Sequence, residues 1–274
     1  MKKIGFQILP LFILAAAFAA ALFVYQQGFR FAPSGRLTWT PKQKEIRSRL
    51  LEVPILLYHN IDGAGVFSVS EETLRSHFEF LRQNDVRVIS MADLINRLEN
   101  PQPFEEKVIV ITFDDGYPSM YTKLLPLARE YGYPITLFVY TNAVNSGASL
   151  LNWQNLREMD ASLIDIQCHG ISHLDLTLAD VDTPEGRKKL FDELYASKKL
   201  LEMRLCKQID YFAFPYGRYS PALAELCKAA GYKRAFSTNY GNNIVSADNY
   251  TLKRQHIKSN YTMDFFRDIA LKVR

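Results

Sequence analysis

From residue 53 onward, short apolar runs rich in β-branched and aromatic residues alternate with longer stretches whose apolar positions recur every three to four residues. The short runs predict strands at 53–58, 86–89, 108–113, 135–140, 163–168, 211–214, 234–237 and 252–257. The longer stretches predict helices at 71–84, 91–99, 119–131, 153–159, 184–205, 221–230 and 262–271. This alternation implies an α/β fold built on a parallel sheet. Seven or eight repeats within about 225 residues suit a closed or nearly closed (β/α) barrel better than an open doubly wound sheet. Barrels carry their chemistry at the C-terminal ends of the strands, so the residues that follow each apolar run are the ones to inspect.

Ahead of this pattern lies a different one. Lys2 and Lys3 precede an uncharged, mostly apolar run from Ile4 to Gln27, long enough to cross a bilayer as a helix with the lysines on the cytoplasmic side. Residues 1–27 are therefore expected to form an N-terminal transmembrane helix that anchors the chain. A cleaved signal peptide is the rival reading, because the alanine-rich stretch from Ala15 to Ala21 offers small residues for cleavage. Residues 28–51 are polar, with Pro33, Gly35 and Pro41 breaking regularity, and read as a linker. Both readings put the domain at 52–274 outside the cytoplasm, in the periplasm or at the cell surface, or secreted if the leader is cleaved.

Apolar residues make up 48% of the 274 and charged residues 23%, which allows a sizeable core and no long disordered segment. The net charge of +4 is slight, and the basic residues are dispersed among acids, so nucleic acid is excluded as a partner. Cys168, Cys206 and Cys227 lack the spacing of a zinc or redox motif. Cys168 directly precedes a histidine, but strand alternation should point it to the opposite face, which leaves it out of any ligand set.

Four strand ends carry candidate chemistry. The run 108–113 leads into Asp114, Asp115 and Gly116. Adjacent carboxylates there should differ in direction, so that one can bind a metal and the other act as a base, although an isolated Asp-Asp-Gly is equally a turn or helix cap. The run 164–168 leads into His169 and His173, which share one face if the segment turns helically and are spaced to grip one ion. After 211–214, Pro215, Tyr216 and Gly217 force an exposed bend whose backbone N–H groups could donate to an oxyanion. His59 follows 55–58, and Arg254 and His256 lie near the end of the last strand. A lone histidine in such a place is more often structural, but the strand-end position makes His59 a candidate.

Together, Thr-Phe-Asp-Asp-Gly-Tyr (112–117), His-x3-His (169–173) and Phe-Pro-Tyr-Gly (214–217) resemble the polysaccharide deacetylases of carbohydrate esterase family four. The resemblance runs from about residue 53 to the C-terminus. Leu57-Tyr58-His59 at its beginning is similar to the rearranged branch that contains the poly-N-acetylglucosamine deacetylases. It implies a distorted β/α barrel, Asp115, His169 and His173 as metal ligands, Asp114 as general base, His59 as general acid and the Tyr216 N–H as oxyanion donor. The implied cofactor is one divalent ion. Zinc suits the ligand set, while cobalt, nickel or iron fit the same cage. The implied partner is an amino-sugar polysaccharide, deacetylated outside the cytoplasm.

Two departures stand out. Gly170 replaces the Ser or Thr that many members carry after the first histidine, and Ala213 replaces the arginine that would orient the base, a role that could pass to Arg254. The alternatives to a poly-N-acetylglucosamine-like substrate are peptidoglycan and O-acetylated polysaccharide. A catalytically silent glycan-binding module is the alternative from a different class, and His256 is the alternative acid.

Overall fold

The computed structural model describes residues 53–100, 107–145, 150–241 and 249–271. The expected anchor (1–27) and linker (28–51) lie outside the described residues. Among the described residues no helix is long and apolar enough to cross a membrane.

Among the described residues there are eight strands, each in its expected place: β1 (Ile55–Tyr58), β2 (Arg87–Val88), β3 (Val108–Asp115), β4 (Ile135–Val139), β5 (Ile164–Cys168), β6 (Tyr211–Ala213), β7 (Arg234–Phe236) and β8 (Gln255–His256). All pairings are parallel, in the order β7-β6-β5-β4-β3-β1-β8, with β2 paired to the start of β3. The result is a parallel half-barrel. Residues 252–256 lace its remaining gap, since Leu252 bridges to Phe236 on β7 while Gln255 and His256 pair with Leu56 and Leu57 on β1. β8 is shorter than the expected 252–257 because one segment is divided between two neighbours.

The helices are α1 (Glu71–Gln83), α2 (Met91–Glu99), α3 (Leu125–Tyr131), α4 (Trp153–Asp160), α5 (Pro184–Leu205), α6 (Pro221–Ala229) and α7 (Met263–Leu271). Ser70, Ser90, Asn152, Thr183 and Ser220 cap α1, α2, α4, α5 and α6 by accepting from backbone N–H groups of the first turn. The helix expected at 119–131 instead opens with a π-helical turn at Met120–Leu124 before α3. Pro126 explains it, having no N–H to give to the Thr122 carbonyl.

Alternation along β3 divides the core. Ile109, Ile111 and Phe113 pack with the helices, whereas Val108 and Val110 join Ile55, Phe138, Ala213 and Phe236 in a second cluster inside the curl of the sheet. Thr112 and Asp114 continue the inward series, so this β3 register directs a carboxylate into the lumen. Both faces of β3 are buried, as expected of a parallel strand covered on both sides.

A buried histidine ties α1 to the sheet and to α7. The Tyr58 hydroxyl lies 3.0 Å from His77 Nδ1, and the His77 ring stacks on Phe266 with centroids 3.8 Å apart. Burial pushes the His77 pKa down to about 4. The unfolded chain, with its histidine near the ordinary 6.5, therefore binds the extra proton first. The stability that neutral His77 contributes is complete at neutral pH and is lost as pH falls from that ordinary value toward 4. The loss amounts to about 3 kcal/mol between pH 7 and pH 4. Urea unfolding at the two pH values should show His77→Gln losing less stability than wild type by roughly that amount. Equal losses would contradict the assignment.

Candidate active site

Every candidate chosen from the sequence lines one cleft of about 430 Å³ or lies directly beneath it. His59, Asp114, Asp115, His169, His173, Tyr216 and His256 border the cleft. Arg254 is fully buried behind Asp114. The convergence follows from the parallel sheet, which presents the C-terminal ends of β1, β3, β5, β6 and β8 on the same side.

Asp114 and Arg254 form a two-pronged pair. Arg254 Nη1 donates to Asp114 Oδ1 and Nη2 to Oδ2, each at 2.7 Å, while Nε donates to the Ser237 carbonyl at 3.1 Å. Burial opposes ionisation of Asp114, but the guanidinium outweighs it and holds the carboxyl well below the usual carboxylate range. Asp114 is thus a fixed anion.

Ligand atoms of Asp115, His169 and His173 all lie within 4.8 Å of one another. Asp115 Oδ1 is 3.2 Å from His173 Nε2 and 3.6 Å from His169 Nε2, is buried, and receives no hydrogen bond among the described residues. His169 Nδ1 is 2.7 Å from the Ala213 carbonyl. That carbonyl can only accept, so the ring proton sits on Nδ1 and the Nε2 lone pair faces Asp115. An unsatisfied carboxylate oxygen facing imidazole nitrogens fits a divalent cation with a nitrogen and oxygen donor set. Burial lowers the His169 pKa and favours the neutral, ligating form. At His173 burial acts the same way, but the Asp115 carboxylate outweighs it and raises the pKa.

Two expectations about this geometry are corrected. The loop 169–173 is not helical. Gly170 (φ 90°) and His173 (φ 53°) are both left-handed, and these turns bring the rings to 5.0 Å between centroids. Asp115 does not simply point away from Asp114 either. With φ 83° it leaves the strand's alternation, and both carboxylates approach His169 Nε2, at 3.8 Å for Asp114 and 3.6 Å for Asp115. Cys168 does follow alternation, packing into the helix-facing core outside the ligand group.

The bend at Pro215–Gly217 is equally constrained. Tyr216 has φ 57°, and Gly217 and Arg218 donate back to the carbonyls of Phe214 and Pro215. A Cβ at Gly217 would lie 2.1 Å from Thr238 Oγ1, so only glycine fits there.

Residues 102–235 match the family model described as polysaccharide deacetylase. Over these residues the chain carries a polysaccharide deacetylase domain. The Escherichia coli K12 poly-β-1,6-N-acetyl-D-glucosamine N-deacetylase is 30% identical over 224 residues, covering 67% of this chain and 33% of that protein, so this chain spans about a third of it. Bacillus subtilis YxkH is 27% identical over 206 residues, 75% of this chain and 71% of that one. The Streptococcus pyogenes deacetylase PplD, solved in complex with acetate, shares the fold with a TM-score of 0.72 at 23% identity, over 80% of this chain and 97% of that one.

Both departures from the family pattern have a structural answer. Arg254 occupies the place beside Asp114 that the arginine missing at Ala213 would serve. Glu193 on α5 braces the loop after His169 that a Ser or Thr at position 170 would brace, accepting from Ile171 N–H, Ser172 N–H and Ser172 Oγ at 2.9, 2.8 and 3.0 Å. Sequence reading missed Glu193, since a glutamate in mid-helix carries no local signal. It also missed Phe67, whose half-exposed ring lies 5.5 Å from His59 and 5.1 Å from His256 at the cleft mouth.

Proposed function

We propose that this chain is a metal-dependent hydrolase that removes N-acetyl groups from an extracytoplasmic, poly-N-acetylglucosamine-like polymer. The observation that carries the reading is the convergence of Asp115, His169 and His173 beside an arginine-paired carboxylate at the floor of one cleft. The substrate class draws support from the E. coli relative's name and from the aromatic side chains Phe67, Tyr117 and Tyr216 along the cleft, which offer faces for sugar rings. The leader at 1–27 supports the outside location, and cell fractionation tests it by finding the full chain with the membrane or not.

Asp115, His169 and His173 would hold one divalent ion, with zinc as the first candidate. Such an ion supplies Lewis-acid polarisation of the acetyl carbonyl and acidification of water. Asp114, held anionic by Arg254, accepts the proton of the attacking water. The Tyr216 N–H, displayed by the strained bend, stabilises the oxyanion of the tetrahedral intermediate. His59 delivers a proton to the departing amine. Burial lowers its pKa against the pull of Asp114 and Asp115, and its Nδ1 has no hydrogen-bond partner among the described residues. A lowered pKa makes its imidazolium a readier donor.

The test is acetate release by the purified protein from a panel of glycans. Release from β-1,6-linked poly-N-acetylglucosamine, abolished by a chelator and restored by Zn²⁺ or Co²⁺, is the expected outcome. Preference for peptidoglycan or an O-acetylated polymer would reassign the substrate. Binding without release would favour a glycan-binding module.

A further inference from the structure

Three hydrogen bonds of the loop between the two histidines converge on Glu193, outside every motif singled out in the sequence. One oxygen, Glu193 Oε1, accepts from Ile171 N–H at 2.9 Å, Ser172 N–H at 2.8 Å and Ser172 Oγ at 3.0 Å. The two successive N–H groups are flanked by left-handed Gly170 and His173. Two successive backbone N–H groups thus share one carboxylate oxygen of the chain itself.

We propose that Glu193 is a positioning residue for the metal site, holding the His173 arm in its left-handed turn and thereby setting the affinity for the divalent cation. The proposal rests on the metal-site reading above. The two arms of the site are secured differently. His169 is fixed without Glu193, by its own N–H to the Val139 carbonyl at 2.8 Å and by Nδ1 to Ala213 at 2.7 Å. Gly170 and Ile171 are tied through their carbonyls to Thr141 N–H at 3.0 Å and Asn142 N–H at 2.9 Å. The N–H groups of 171 and 172, next to His173, are bonded to Glu193. A left-handed backbone is disfavoured for a residue with a Cβ unless its surroundings impose it. Gly170 belongs to the same arrangement, because a Cβ there would sit 3.4 Å from Glu193 Oε1.

The test uses the full metal-free chain titrated with Co²⁺ and followed by its visible absorption. Glu193→Gln, which keeps an acceptor oxygen, should bind Co²⁺ within about threefold of wild type, whereas Glu193→Ala should bind about 10–100-fold more weakly, the range for loss of a group that orients a ligand. In a His173→Ala background, Glu193→Ala should cost less than about threefold more, because the arm it holds is already gone. A merely structural role would give the same fold loss in both backgrounds, and that result overturns the proposal, as does wild-type affinity in Glu193→Ala. If Glu193→Ala does not fold, Glu193→Asp keeps the charge but shortens the reach, and the same weakening is expected of it. A wild-type chain that binds no Co²⁺ overturns the metal-site reading and this proposal together, whereas the failures named before it leave the metal site standing.

Discussion

Asp114→Asn should cut acetate release by about 10²–10⁴-fold while Co²⁺ or Zn²⁺ binding stays within a few-fold of wild type, because a positioned general base contributes on that scale and the ligands are other residues. The amide keeps the shape of the carboxylate but cannot take a proton from water. It also turns an NH₂ group toward the Arg254 guanidinium where two charge-assisted bonds now stand, so thermal unfolding should be recorded beside activity. Substrate choice separates this role from that of His59. His59→Ala should hurt an acetamide far more than an activated aryl acetate, whose leaving group needs no proton, while Asp114→Asn should hurt both. Equal losses on the two substrates for His59→Ala would transfer the acid role to His256, whose ring lies 5.2 Å from that of His59.

Arg254→Met should be the most destabilising single change at the site. Both partners of the ion pair are buried, Arg254 completely, and removing one charge from such a pair costs about 3–5 kcal/mol because the other is left uncompensated. The pH dependence has a definite sign. The folded-state pKa of Asp114 is depressed, so its ionisation adds stability above the ordinary carboxyl value and that stability is lost as pH falls through the folded value. Without the guanidinium the folded pKa rises, the contribution reverses, and the variant is weakest relative to wild type at neutral pH and regains ground as pH falls. Denaturant titrations at pH 7 and pH 4.5 would reveal this. A variant deficit that is constant or grows toward acid would refute the account. Activity should fall too, since a protonated Asp114 is no base.

Much of this architecture is legible in the sequence because the parallel sheet is written in a simple code. Runs such as 108–113 and 135–139 are apolar but for one threonine each, and the helices between them keep their period and their caps. Strand-end residues could then be grouped without coordinates, since parallel strands deliver their C-terminal ends to one face. The directions of side chains within loops were not legible. Left-handed backbone at Asp115 and His173 overrides both strand alternation and helical spacing, and the enrichment of Asp and His in that region is too weak to mark the positions from sequence. Glu193 was hidden for a related reason. Its partners are backbone N–H groups, and these are common to nearly every residue type.

The pairing of Arg254 with Asp114 spans 140 residues, and the segment that carries Arg254 is also the one that laces β7 to β1. A partly folded chain, with its early strands assembled and this segment not yet docked, would hold its base in an apolar lumen without a counter-ion, and the group would stay protonated. On the proposed mechanism such a chain would be inert, and docking of the last segment would be a condition of activity, because that segment supplies the counter-charge that keeps Asp114 ionised.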